Sequence, residues 1–373
     1  MSEAGRDSRL ARARAAAAAR GLGALLVTKP PNVTYLSGFV GSAGALLISA
    51  ETATLISDFR YQTQAQEEAP SFAFFRSPRN IVQGLAAAIA DLAEQDGPGR
   101  LRIGFEAQHM TCAARDELHA ALAGKPAPVS LEAAGELVEQ LRLRKEPAEL
   151  EAIRRAARIT DAAFEHVRGL VRPGVTEREL AAELDYFMKR QGVDRLAFDP
   201  VVASGPRGAL PHAKPTDRPV APGDLIVFDL GASVNGYSSD LTRTVALGPV
   251  TDRQEEIYRL VWEAQRRALE ALGPGRTGSQ VDEAARAYLN EAGFGEYFGH
   301  GLGHGVGLET HEAPRLAPEA ETVLAPGMVV TVEPGLYLPG LGGVRIEDLC
   351  VVTEEGVEIV STADKPARLP VVG

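Results

Sequence analysis

Three histidines, His300, His304 and His311, lie among five glycines in the stretch GHGLGHGVGLETHE, in a chain with only seven histidines. Imidazole binds metals and moves protons near neutral pH, and glycine lets backbone come close to a reacting centre. Four acidic residues sit where apolar strands are expected: Asp229 in VFDLGA, Asp240 in GYSSDLTRT, Glu333 in VVTVEPG and Glu347 in GVRIEDL. Asn235-Gly236 between the first two is a strong signal for a two-residue hairpin turn. With that turn, 234 faces 237 and 231 faces 240, so Asp229 and Asp240 are diagonal neighbours on one face, about 7 Å apart at their bases. Two such carboxylates on an apolar face repel at a cost of several kcal/mol unless compensated, and a cation is the simplest compensation. Alternation puts Arg345 beside Glu347 on one side of a strand, where it can steady the acids.

Four carboxylates and one histidine make an oxygen-rich set suited to manganese, cobalt or iron rather than to a sulfur-ligated zinc. Five protein ligands are more than one catalytic ion usually takes, and two ions about 3.5–4 Å apart are the natural count. Such a pair deprotonates a water and polarises a carbonyl, which points to metal-assisted hydrolysis. His212, in SGPRGALPHAKP, lies upstream of the acids and is a candidate for the substrate carbonyl or the developing oxyanion.

These residues need a scaffold, and 373 residues suggest two domains. The composition is that of an ordinary globular protein, 45% hydrophobic and 24% charged. A net charge of -11 argues against nucleic-acid binding. The two cysteines, Cys112 and Cys350, make no disulfide framework and fit a reducing compartment. No apolar run reaches membrane-span length, and the Ala/Arg-rich start reads as a helix rather than a targeting peptide. A cytoplasmic location, with no membrane or nucleic-acid partner, is expected.

From Ser8 to about Ala134 helices and strands alternate as in an α/β domain. GALLIS and ATLISD flank a hairpin turn, and Asp58 opens a helix through RYQTQAQEEA. NIVQGLAAAIADLAEQ reads as an amphipathic helix. The boundary falls in LRLRKEP, which divides the chain into residues 1–140 and 141–373. Pro147 then opens a helix that Pro173-Gly174 stops. Thr176 and Glu179 form a capping-box pattern for the next. Strands follow Gly192, with two helices near 252–272 and 278–292, and strands again in VVTVEPG, GVRIEDLCVV and GVEIV.

The pieces LPHAKP, FDLGASVNGYSSDLTRT, GHGLGHGVGLETHE, TVEPGLY and GGVRIEDL resemble, in this order, the pita-bread metallopeptidases, specifically the Xaa-Pro branch of prolidase and aminopeptidase P. NVTYLSGF and DFRYQTQA resemble that branch's N-terminal domain. The resemblance implies an α/β N-terminal domain plus an α+β pita-bread (creatinase/aminopeptidase-like) catalytic domain. It also implies two divalent metal ions, manganese first, with cobalt, zinc or iron as alternatives. Asp229 would chelate one ion, Asp240 and Glu347 would bridge both, and His304 and Glu333 would complete the second. A bridging water or hydroxide would be the nucleophile, with Glu333 moving its proton to the leaving proline nitrogen. His212 and His311 would contact the substrate carbonyl and tetrahedral intermediate. His300 would line the substrate pocket, supported by Tyr337 and Arg345. The substrates would be Xaa-Pro peptides and the assembly a homodimer.

An Xaa-Pro bond is a tertiary amide without an N–H, and an enzyme that anchors the amine and carbonyl on metals does not need one. A dipeptidase must also hold the proline carboxylate, most simply with arginine. Arg60, Arg207 and Arg315 are the candidates. The dipeptidase is the leading expectation and an aminopeptidase acting on longer peptides the alternative. A metal-dependent hydrolase of another C–N bond is a third. A silent binding protein on the same fold is disfavoured because all five ligand positions are filled.

Overall fold

The chain divides into two compact units, Met1–Arg142 and Leu143–Gly373; the computed structural model describes residues 3–78, 80–97 and 99–373. The Ala/Arg-rich start is a helix, Glu3–Ala19. Six strands follow in the first unit: β1 (Ala24–Val27), β2 (Ala45–Ser49), β3 (Ala53–Ser57), β4 (Ala73–Arg76), β5 (Leu101–Phe105) and β6 (Val129–Ala133). They form one mixed sheet in the order β4-β3-β2-β1-β5-β6. Leu26, Leu47, Ile56 and Ile103 pack with Ile89 of helix Ile81–Gln95 in its core. Asp58 does not open the next helix directly. It caps a 3-10 turn, Phe59–Tyr61, before helix Gln62–Glu68.

Apolar periodicity does not mark helix Pro30–Ser37, whose signals are its ends. Two prolines occupy the first turn, where a missing N–H costs nothing, and Gly38 closes it at φ 86°. The buried Glu106 carboxylate accepts from the backbone N–H of Thr28 (2.6 Å) and Lys29 (2.7 Å) and from Asn32 Nδ2 (2.6 Å). The Asn of NVTYLSGF is thus part of this anchor.

The second unit opens with helix Pro147–Arg168, capped reciprocally by Glu146 and Glu149. It stops at Arg168, before Pro173-Gly174. Helices Glu177–Arg190, Asp252–Ala271 and Gly278–Glu291 each begin with a capping box, at Thr176/Glu179, Thr251/Gln254 and Thr277/Gln280. No helix among the described residues is long and apolar enough to cross a membrane.

The strands here are β7 (Arg195–Leu196), β8 (Val201–Ser204), β9 (Leu225–Leu230), β10 (Ala232–Val234), β11 (Tyr237–Ser238), β12 (Leu241–Leu247), β13 (Gly303–Gly305), β14 (Glu312–Leu316), β15 (Val329–Val332), β16 (Gly335–Leu338), β17 (Gly342–Arg345), β18 (Asp348–Val352), β19 (Val357–Ile359) and β20 (Val371–Val372). Two sheets frame the site, β20-β12-β9-β8 and β14-β13-β15-β18-β19. Phe164 and Val167 of the first helix pack with Phe228, Leu230 and Val245 of the former. Ile153 and Ala157 of the same helix pack with Val329, Leu349 and Val351 of the latter. The expected continuous strand GVRIEDLCVV is broken: Ile346 and Glu347 lie between β17 and β18, which belong to different sheets.

The 3-10 turn Gly205–Ala209, just before His212, lies directly on β17. A Cβ on Gly343 would stand 2.0 Å from the Gly208 carbonyl oxygen. Backbone cannot yield there as a flexible side chain would. Gly343→Ala is therefore expected to destabilise the protein by about 1–3 kcal/mol, the usual cost of overpacking, measured by urea unfolding. Wild-type stability in that variant would show that the contact is not needed.

Candidate metal centre

The hairpin carrying the first two acids has the register its turn dictates. Asn235 and Gly236 have φ of 51° and 81°, the left-handed pair that a tight hairpin turn needs. Val234 then faces Tyr237, and further from the turn Asp229 faces Thr242. Asp240, two residues before Thr242, is therefore diagonal to Asp229 on the same face.

His304 comes from β13, squeezed between neighbours that leave room only for glycine beside it. A Cβ on Gly303 would be 2.1 Å from the Thr331 carbonyl oxygen, and one on Gly305 2.2 Å from that of Ala313. His304 Nδ1 lies 3.1 Å from the Gly305 carbonyl. It must donate there, so Nε2 is the atom turned to the acids, 3.2 Å from Glu333 Oε1 and 3.7 Å from Asp240 Oδ2. One donor atom from each of Asp240, His304 and Glu347 lies within 4.8 Å of the other two.

Asp229 is held by Arg345, whose Nη2 donates to Oδ2 at 2.5 Å. The same guanidinium donates through Nε to Thr242 Oγ1 (3.0 Å) and through Nη1 to the Tyr337 hydroxyl (2.9 Å). Thr242 then donates to Glu347 Oε2 at 2.7 Å. Thr331 does the same for Glu333, donating to Oε1 at 3.1 Å while accepting from the His304 N–H at 3.0 Å. Neither threonine was singled out from the sequence. The available signal was alternation, since each lies two residues from an acid, on the same face of an apolar strand.

His300 Nδ1 is 2.7 Å from the Gly301 carbonyl and its Nε2 2.9 Å from the Tyr337 hydroxyl. Arg345, Tyr337 and His300 thus form one chain behind Asp229. His311 is exposed, with its ring centroid 4.1 Å from that of His304. His212 is also exposed, one residue after Pro211, whose carbonyl accepts from Arg345 Nη1 at 3.3 Å. Contacts thus join Glu333, Glu347, His304, Arg345, Tyr337, His300 and His311 to the hairpin face of Asp229 and Asp240, while His212 is tied to it only through its neighbour Pro211.

Burial and then neighbouring carboxylates push the Asp240 and Glu347 carboxyls well above the usual range, and burial raises Asp229. Burial also opposes the charge on Glu333, but the His304 hydrogen bond prevails and lowers its pKa. Burial lowers His300 and His311, which favours neutral imidazoles. Asp229 Oδ1 and Glu347 Oε1 are buried without a hydrogen-bond partner. Unpartnered carboxylate oxygens are costly when buried, and two of them in a cluster of four carboxylates and one imidazole are a donor set for hard or borderline divalent cations.

A raised carboxyl holds its proton in the folded state between its unfolded pKa, about 4, and its folded one. Its contribution to the stability of chelator-treated protein is full below about pH 4 and is lost as pH rises through the folded pKa. Asp240→Asn and Glu347→Gln are therefore expected to raise the melting temperature of chelator-treated protein at pH 7 relative to wild type, with the gain shrinking toward pH 4. Scanning fluorimetry across pH measures this, and a lower melting temperature at pH 7 would contradict the assignment of strain to these carboxyls.

Residues 151–354 match the model of metallopeptidase family M24, and residues 9–144 match the creatinase/prolidase N-terminal domain. The chain is 38% identical over 344 residues to an Xaa-Pro dipeptidase of Pyrococcus horikoshii, covering 92% of this chain and 93% of that one. Among solved structures, it resembles an Xaa-Pro dipeptidase from Bacillus anthracis with a TM-score of 0.90 and 41% identity, covering 98% of this chain and 100% of the other. It also resembles an X-Pro aminopeptidase from Thermotoga maritima, with a TM-score of 0.83 and 38% identity over 94% and 98%.

Proposed function

The chain belongs to metallopeptidase family M24, with the pita-bread catalytic fold behind a creatinase-type N-terminal domain, and from that premise we propose that it hydrolyses the bond between an N-terminal residue and proline. The observation that carries the metal assignment is the pair of buried, unpartnered oxygens, Asp229 Oδ1 and Glu347 Oε1. We assign the catalytic domain to residues 141–373 and the creatinase-type domain to 1–140.

Asp229, Asp240, His304, Glu333 and Glu347 would hold two divalent ions, manganese before cobalt, zinc or iron. When bound, the ions supply Lewis acidity that lowers the pKa of a water and polarises the scissile carbonyl. Glu333, whose pKa His304 and Arg345 help to hold down against burial, is a carboxylate able to take the water's proton and give it to the prolyl nitrogen as the C–N bond breaks. The water oxygen ends on the carbonyl carbon, so the products are a free carboxylate and a secondary amine. His311 and His212, both exposed, would hydrogen-bond the substrate carbonyl and the oxyanion that develops on it. His300 lines the substrate pocket. Arg345 and Tyr337 orient Asp229 and His300, which keeps the face in one geometry for the transition state.

The structure also bears on the proline carboxylate. Arg207 is engaged by Glu177 (3.0 Å) and by the Lys214 carbonyl (2.6 Å), and Arg60 by Asp58 (2.7 Å). Arg315 faces His304 across β13 and β14, and its charge reaches His311. Among the described residues no carboxylate pairs with it. Arg315 is thus the candidate that favours the dipeptidase reading over an aminopeptidase for longer peptides. The resemblance supports a homodimer. Cys112 and Cys350, both free thiols, support a reducing, cytoplasmic setting.

With manganese added, Ala-Pro is expected to be cleaved faster than Ala-Pro-Ala, and chelator is expected to abolish both activities. No cleavage of either peptide with any of the four metals would sink the proposal, whereas a preference for Ala-Pro-Ala would favour the aminopeptidase. Arg315→Met is expected to raise KM for Ala-Pro by roughly tenfold or more, the scale of one charge-assisted hydrogen bond. The KM for Ala-Pro-amide, which lacks the carboxylate, should stay unchanged; equal effects on both would rule out carboxylate recognition by Arg315.

A further inference from the structure

Lys145 and Glu312 form an ion pair of 2.9 Å with side chains only 1% and 7% exposed. Neither has a part in the chemistry described above. Lys145 lies in the LRLRKEP segment, and its backbone N–H donates to the Gly327 carbonyl at 2.7 Å. Its backbone is therefore anchored before the side chain turns inward. Glu312 follows His311 directly and ends the glycine–histidine stretch.

The Glu312 carboxylate also closes the loop that carries His311. A Cβ on Gly307 would stand 2.4 Å from Glu312 Oε1 and 2.9 Å from Oε2, so the carboxylate rests on bare backbone at the start of the loop. Oε2 accepts from the Glu309 N–H at 3.3 Å. Gly307 is itself fixed, donating to the Glu309 carbonyl at 3.0 Å and accepting from the Ser238 N–H at 2.8 Å. One carboxylate thus draws the two ends of loop 307–312 together, and Lys145 holds that carboxylate. At the far side of the same loop, His311 faces the His304 ring.

A buried ion pair contributes little net stability, because desolvation offsets its attraction, yet removing one partner is disruptive. Such a pair is suited to setting a geometry. We propose that Lys145 and Glu312 are positioning residues for His311, locking loop 307–312 so that the imidazole stands over the substrate carbonyl. The inference rests on the role proposed above for His311 and adds the residues that make this role depend on the entry segment of the catalytic unit.

The test uses the full chain loaded with manganese and assayed on Ala-Pro. Lys145→Met and Glu312→Gln are each expected to lower kcat roughly ten- to a hundredfold, the scale of a small misplacement of a catalytic group. KM should stay within about twofold of wild type, since substrate binding is otherwise untouched, and bound manganese should not change. In a His311→Ala background the same substitutions should lower kcat no further. Gly307→Ala displaces the carboxylate without removing a charge; it should share this signature and serves if the charge variants do not fold. Wild-type kcat in these variants, loss of manganese along with kcat, or an equal further loss in the His311→Ala background would each overturn the proposal. His311→Ala with wild-type kcat would instead remove the role of His311 on which it rests, and the proposal with it.

Discussion

Mutual repulsion of buried carboxylates is the constraint around which the second unit is built. Asp229, Asp240, Glu333 and Glu347 come from four separate segments, and each loses solvation where it meets the others. Left alone they would drive those segments apart. What opposes this is a set of covalent and hydrogen-bonded restraints. The hairpin register fixes Asp229 against Asp240, the Thr242 and Thr331 hydroxyls each hold one carboxylate oxygen, and Arg345 lies against Asp229. The protein's own positive charge falls short of balancing the cluster, which is why two oxygens lack partners and why divalent cations suit it.

The supports are arranged asymmetrically, and this matters for chemistry. Arg345, Tyr337 and His300 form one hydrogen-bonded chain on the Asp229 side. Glu333 is tied instead to His304 and Thr331. One carboxyl is thereby kept ionised while Asp240 and Glu347 resist ionisation in the protein alone. Environments that push like groups apart in pKa are how one site separates a proton carrier from ligands whose charge a cation must balance.

Much of the site was legible in the sequence because its signals are local. Asn-Gly sets a two-residue turn, that turn sets the register, and the register places two aspartates without reference to the rest of the fold. The glycines around His304 announce close backbone contact. Less legible were features decided by distant partners. The break at Ile346-Glu347 depends on two different sheets claiming the flanking residues, and no alternation rule shows it. Arg345 reaches the acids as expected, but across that break rather than along one strand. Thr242 and Thr331 look like ordinary strand residues until their neighbours are known. Helix Pro30–Ser37 was hidden for another reason: its ends carry the signal and its interior has little periodicity.

The tight turn at Asn235-Gly236 also limits how this chain can change in length. Side chains alternate along a strand, so one residue added or removed between positions 229 and 240 would swing one aspartate to the opposite side of the ribbon. The interval separating them behaves as a ruler that tolerates no odd insertion. The long span from Asp240 to His304 is counted in another way: β12 stays in register with β9, and helices Asp252–Ala271 and Gly278–Glu291 each bury one face, which a single added residue would turn by about 100°. An odd change in length is thus closed to the turn by side-chain alternation and to the two helices by the faces they bury.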